Sequence, residues 1–105
     1  MRPMSDEHRI ERDVQSRAAR FQPSRDVVAN RICDTTVIIH MKTNRILELN
    51  RTGSRLWELL CEGHDRTEIQ RRMLQEFNVP EAQLASEVER LLAALRTELL
   101  IEPLV

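Results

Sequence analysis

The chain has 105 residues, 41% hydrophobic and 31% charged, with 16 basic against 17 acidic side chains and a formal net charge of −1. That length supports one modest core rather than two ordinary domains, and the composition excludes disorder along the whole chain. The near-zero charge supplies no long-range field toward nucleic acid or an anionic membrane, so a partner must be recognised by shape and local contacts.

Residues 1–24 are Arg-rich and close on "FQPSRD", where Pro23 and Ser24 interrupt regular structure. A flexible or partly helical tail is expected there, with Ile10, Val14 and Phe21 on a rough helical stripe, followed by a single domain over 25–105. The opening "MRPMSDEHRIERDVQ" has no signal-type apolar segment, and no run approaches the roughly 20 apolar residues that span a bilayer, which points to a cytoplasmic protein away from membranes. Cys33 and Cys61 fall in different elements without a CxxC pair, and His8, His40 and His64 are scattered. The thiols read as reduced and partly buried, and no metal or other cofactor is expected.

From Val27 the pattern is strand-like: "VVANRIC", a turn at Asp34 and Thr35, "TVIIHM", a turn from Lys42 to Asn44, and "RILEL". The β-branched Val37, Ile38 and Ile39 suit a pleated surface, and Asn44 tolerates the left-handed conformation of a tight hairpin. In "RILELNRTGSRLWELL" the apolar spacing then changes from alternation through Leu49 to helical recurrence at Leu56, Trp57 and Leu60. A strand therefore runs into a helix with almost no loop, capped by Asn50 and ending near Gly63. A second helix opens at "DRTE", with Asp65 as cap and Glu68 reaching back, and carries Ile69, Met73 and Phe77. A third starts at Pro80 and carries Leu84, Val88, Leu91, Leu92, Leu95 and Leu99. The fold class is α+β: a three-stranded antiparallel meander followed by three helices. Leu49, Leu56, Trp57, Ile69, Phe77, Leu92 and Leu95 are expected to share its core, with Leu99 beside them.

No activated nucleophile or acid–base pair stands out, and with Gly53 and Gly63 the only glycines, a P-loop or dinucleotide fingerprint is excluded. The protein reads as no enzyme. Two helices joined by "EGHD", a third behind them and a small sheet are winged-helix-like, so DNA binding is an alternative, with Arg66, Arg71 and Arg72 at the groove. Glu68 and Glu76 on the same helix, and the 3% aromatic content, oppose it. The third helix has more leucine than packing on one neighbour needs. If Leu84, Val88 and Leu91 flank the third strand, they line an apolar trough beside an unpaired edge, where an extended peptide can add as a strand. Its backbone would pair along Arg45, Ile46, Leu47 and Glu48, with Glu87, Arg90 and Arg45 reading charge at the rim. The same edge invites a homodimer, edge to edge or with a tail lodged in a neighbour's trough.

The run "LNRTGSRLWELL" at 49–60, preceded by "TNRILE" and followed by "EGHDRTEIQRRMLQEF" and "VERLLAALRTELL", resembles the PqqD-like family of small recognition domains in ribosomally made, post-translationally modified peptide pathways. The match covers roughly residues 26 to 102 and is most specific at Leu49-Asn50, Thr52-Gly53 and Leu56-Trp57. The resemblance implies a three-stranded sheet and three helices in a winged-helix-like arrangement. It also implies a non-enzymatic adaptor that binds the leader segment of a precursor peptide by strand addition. The adaptor would present that peptide to a modifying enzyme, such as a radical SAM enzyme or a maturation protease. Two positions depart from the family pattern: Asn44 stands at a usual turn glycine, and Glu98 stands where glycine commonly ends the last helix.

Overall fold

The elements run β1 (Phe21–Pro23), β2 (Val27–Ile32), β3 (Thr35–His40), β4 (Ile46–Leu49), α1 (Arg51–Cys61), α2 (Arg66–Glu76), α3 (Glu81–Thr97) and β5 (Ile101–Pro103) in the computed structural model, which describes residues 20–104. Strands β2, β3 and β4 form the expected antiparallel meander. Ile38 and Thr36 on β3 and Leu49 on β4 are buried toward the helices, while Val28, Ile39 and Ile46 form an exposed row across the opposite face. One covered face and one open face are what period-2 alternation produces.

Turn chemistry sets the two hairpins. Cys33 and Asn44 adopt φ of 57° and 59°, the left-handed region, one in each connection. The buried His40 supports the second turn, its Nδ1 accepting from the backbone N–H groups of Lys42 and Thr43 at 3.2 and 3.3 Å. The helix starts match the caps read from sequence: Asn50 Oδ1 accepts from Gly53 N–H at 2.9 Å, and Asp65 Oδ1 accepts from Glu68 N–H at 2.8 Å. Gly63, at φ 92°, closes the first helical segment. The reciprocal half of the second cap is replaced, because the Glu68 carboxylate accepts from Arg71 and Arg72.

Four expectations are corrected. Phe21 belongs to no helical stripe: it lies in β1, which pairs antiparallel with β5 through Phe21↔Pro103 and Pro23↔Ile101, and its ring is 3% exposed in this chain's own core. It is therefore unavailable to fill a neighbour's trough; Ile10 and Val14 lie outside the described residues. Leu84 and Val88 are packed in the core, 2% and 0% exposed, and the opening that Leu84 does line is a pocket between α2 and α3 with Leu74 and Glu81. Leu99 is not core: α3 ends at Thr97, Leu99 takes φ 62°, and its side chain is 60% exposed. Leu99 supplies the left-handed residue that glycine usually provides, which brings Leu100 N–H onto Leu95 carbonyl at 2.9 Å. Cys33 is exposed rather than partly buried, while Cys61 is exposed as a residue but keeps a partly desolvated thiol. The other predicted core residues are buried, with Phe77 half-buried against the cluster under the Arg51 guanidinium.

The reassigned residues separate by stability. Phe21→Ala should lower the unfolding free energy by about 3–5 kcal/mol, whereas Leu99→Ala should stay within about 0.5 kcal/mol of the parent. Urea titration followed by tryptophan fluorescence measures both, and equal losses would contradict the packing described.

Candidate functional site

The ladder geometry of the sheet decides which backbone groups are free. His40 N–H donates to Arg45 carbonyl at 2.9 Å, which makes His40 and Arg45 a hydrogen-bonded pair. Such pairs alternate along an antiparallel ladder. With the register Ile38↔Leu47 and Thr36↔Leu49, Leu47 and Leu49 turn their backbone groups toward β3, and Ile46 and Glu48 turn theirs to the open edge. Side chains follow the complementary rule: Leu47 and Leu49 share the helix-facing side with Ile38, while Ile46 and Glu48 point to the uncovered face. On the other side of the sheet, Met41 N–H donates to Asp26 carbonyl at 2.7 Å, which leaves the outward groups of β2 on Val27, Ala29 and Arg31.

Each edge carries one arginine tied to a helix. On β2, Arg31 donates to Glu58 of α1 at 3.1 Å and to Cys33 carbonyl at 2.9 Å, with Asp34 at 3.9 Å. It stands over an open pocket of about 330 Å³ lined by Ala29, Trp57, Glu58 and Cys61 among others. Desolvation, then the carboxylates of Glu62 and Glu58, push the Cys61 thiol above its ordinary range, which lowers its thiolate fraction and reactivity. At the start of β4, Arg45 donates from Nη2 to Glu98 at the end of α3 at 3.0 Å. The Arg45 side chain is 64% exposed against 41% for Arg31 and has one such anchor, so it is the freer of the two. Charged side chains guarding sheet edges are a common defence against unwanted strand pairing.

Helical geometry places the remaining candidates. Arg45 reaches Glu98, so the side of α3 carrying Glu98 faces the start of β4. Leu91 lies seven residues earlier, about 20° from Glu98 around the axis, and Glu87 a further turn back on nearly the same line. Leu91 and Glu87 are half-buried, as is Leu47 on β4, whereas Arg90 is exposed to one side. Ala94 and Glu98, on the same stripe, escaped the sequence reading. Glu98 had a visible signal, as an acid at a usual glycine, and exposed Ala94 had none. Of the nine expected positions, Arg45, Ile46, Leu47 and Glu48 lie along the β4 edge, Glu87 and Leu91 lie on the stripe of α3 that ends at Glu98, Arg90 flanks that stripe, and Leu84 and Val88 lie in the core.

The arginines of α2 are occupied. Arg72 Nε donates to Glu68 at 2.7 Å and Arg71 donates to the same carboxylate, holding Glu68 down to about 2. Arg55 of α1 makes a two-point contact with Glu76 at 2.8 and 2.8 Å and holds its carboxylate below the usual range. A helix whose arginines bind its own acids presents little net charge to a phosphate backbone. Among the described residues, no cluster of three metal-ligating side chains occurs and no helix is long and apolar enough to cross a membrane.

The chain is similar to known proteins in sequence and in fold. The family model described as Coenzyme PQQ synthesis protein D (PqqD) matches residues 35–101. No curated protein sequence matches it. Among solved structures, TbiB1 in complex with the TbiA(beta) leader peptide is 31% identical, with a TM-score of 0.74 over 80% of this chain and 98% of that one. Lasso peptide synthetase B1 complexed with the leader peptide is 16% identical, with a TM-score of 0.74 over 81% of this chain and all of that one, which shows a shared fold.

Two outcomes follow from this geometry. Glu48→Pro removes an outward N–H and should leave a folded protein, whereas Leu47→Pro breaks the ladder to β3 and should cost about 3 kcal/mol or more; circular dichroism melts compare them. For Glu68, whose folded pKa lies near 2 against an ordinary 4.5, its stabilising contribution is present above about pH 4.5 and is lost as pH falls toward 2. Glu68→Gln should therefore flatten the dependence of Tm on pH in that window, and parallel curves for parent and variant would contradict the Glu68 pairing.

Proposed function

Because the chain belongs to the PqqD family, we propose that it is a non-catalytic adaptor that binds the leader segment of a ribosomally made precursor peptide along the open edge of β4. It would hold that peptide for a separate modifying enzyme, of the radical SAM or maturation protease kind. The observation that carries the reading is the unpaired edge itself: Ile46 and Glu48 offer outward N–H and C=O groups beside the half-buried Leu47. An incoming strand satisfies those groups in the manner of β-augmentation, and its alternate side chains enter between Leu47 and the Leu91 face of α3. TbiB1, related over nearly its whole length, was solved with a leader peptide bound, which supports the same class of ligand here.

The binding energy is expected from the apolar contact and the added ladder, with charged rim residues contributing specificity. Val88, at 0% exposure, is packed in the core, so its substitution would report on the fold as well as on binding. Leu91→Asp should weaken binding by about 2 kcal/mol, roughly thirtyfold, while Arg90→Ala should cost less and respond to salt. The TbiA(beta) leader peptide is the probe, titrated into the full chain and followed by backbone amide shifts, with circular dichroism confirming that each variant is folded. Largest shifts on Ile46, Leu47, Glu48 and Leu91 support the reading. Largest shifts on α2, from Arg66 to Arg72, would overturn it.

A further inference from the structure

The Arg45–Glu98 bridge stands at one end of the groove proposed for the peptide, and its chemistry is asymmetric. Arg45 commits one N–H of Nη2 to Glu98, and a guanidinium has five N–H donors in a planar fork. With its side chain 64% exposed, it retains donors that a second carboxylate can accept from. Glu98 is the more enclosed partner, at 28% side-chain exposure, and it fixes the guanidinium toward the end of α3. An acidic side chain arriving there joins Arg45 without breaking the bridge. A basic one meets the like charge of Arg45 and gains a partner only by taking Glu98 from it. Glu48 does not oppose the acid, because its side chain points to the other face of the sheet.

The strand register turns this into a spacing rule. Arg45 pairs with the buried His40 and Leu47 with the buried Ile38, so both point to the helix-facing side, two residues apart. Side chains of an added strand alternate with the same period, so those lying beside Arg45 and beside Leu47 are also two residues apart, whichever way the peptide runs. Leu47 is apolar and half-buried, and Leu91 is the half-buried leucine on the stripe of α3 that ends at Glu98. We infer that the cognate peptide carries an acidic side chain two residues from a large apolar one, the acid read by Arg45 with Glu98 as its positioning partner. This rests on the peptide-binding reading above and adds the chemical class of the peptide.

Random dodecapeptides displayed on phage supply the ligand without fixing its sequence in advance, selected against the full chain and against the double variant Arg45→Glu/Glu98→Arg. The parent should enrich Asp or Glu two residues from Leu, Ile, Phe or Met, and the charge-swapped variant should enrich Lys or Arg at the same spacing. In a synthetic peptide from the parent selection, acid to Lys should weaken binding about fivefold, less at high salt, and the swap should reverse that preference. Arg45→Gln provides the test if circular dichroism shows the swap unfolded: it should abolish the preference while retaining binding. Selected peptides that shift the amides of Ile46 to Glu48 but lack an acid at that spacing would overturn this inference and leave the peptide reading standing, as would an unchanged preference in the variants. Peptides that shift β2 and α1 instead, or the absence of any binder, would overturn both.

Discussion

Helix α1 begins two residues after β4 ends, and that junction constrains the rest of the structure. Asn50 caps the helix through Gly53 N–H, Ser54 Oγ donates to Leu49 carbonyl at 3.2 Å, and a Cβ on Gly53 would lie 3.2 Å from Cβ of Leu49. The first turn of the helix is thus pressed against the last residue of the strand, closer than most side chains tolerate. Because Leu49 and Leu56 are buried together in one core, the helix cannot move without the strand. The chain gains an edge strand whose position is set by a covalent neighbour and a capped helix rather than by a fourth strand. Its outer ladder stays free while its inner ladder stays paired.

An edge kept open needs protection from unwanted pairing, and here this comes from single arginines held by helix acids. Arg31 is fastened at three points and Arg45 by one ion pair, so the arginine at the β4 edge is the less constrained of the two. Exposed pairs of this kind contribute at most about 1 kcal/mol each, small enough for an incoming strand to rearrange around. The recognition chemistry we propose is modest in each part, combining an apolar contact at Leu91, four backbone groups on Ile46 and Glu48, and one shared cation.

Much of this was legible in the residues. Alternation in "TVIIHM" and "RILEL", and the caps at Asn50 and Asp65, are local signals, and the structure forms the elements they mark. The edge positions Arg45 to Glu48 were legible for the same reason. What was hidden depends on distant partners. Strands β1 and β5 hold three residues each, too few for a period, and Gln22 meets Glu102 across most of the chain, so nothing beside Phe21 announces its burial. The leucines of α3 occupy more than one face of the helix, and spacing alone does not say which face meets the core. Leu84 and Val88 went inward with Leu92 and Leu95, leaving Leu91 half-buried. Leu99 follows the helix end in a left-handed turn, so extrapolating the helical stripe to it fails. Glu98 stood out as a departure from a family glycine, but its partner Arg45 is 53 residues away.

The central claim is that the outward backbone groups of β4 receive the peptide, and amide hydrogen exchange on the full chain tests it most directly. In the free protein Leu47, bonded to β3, should exchange slowly, and Ile46 and Glu48, with N–H groups directed to solvent, should exchange fast. With a bound leader peptide, protection should appear at Ile46 and Glu48 and change little at Leu47. A peptide that binds while those two amides continue to exchange at the free rate would contradict the account.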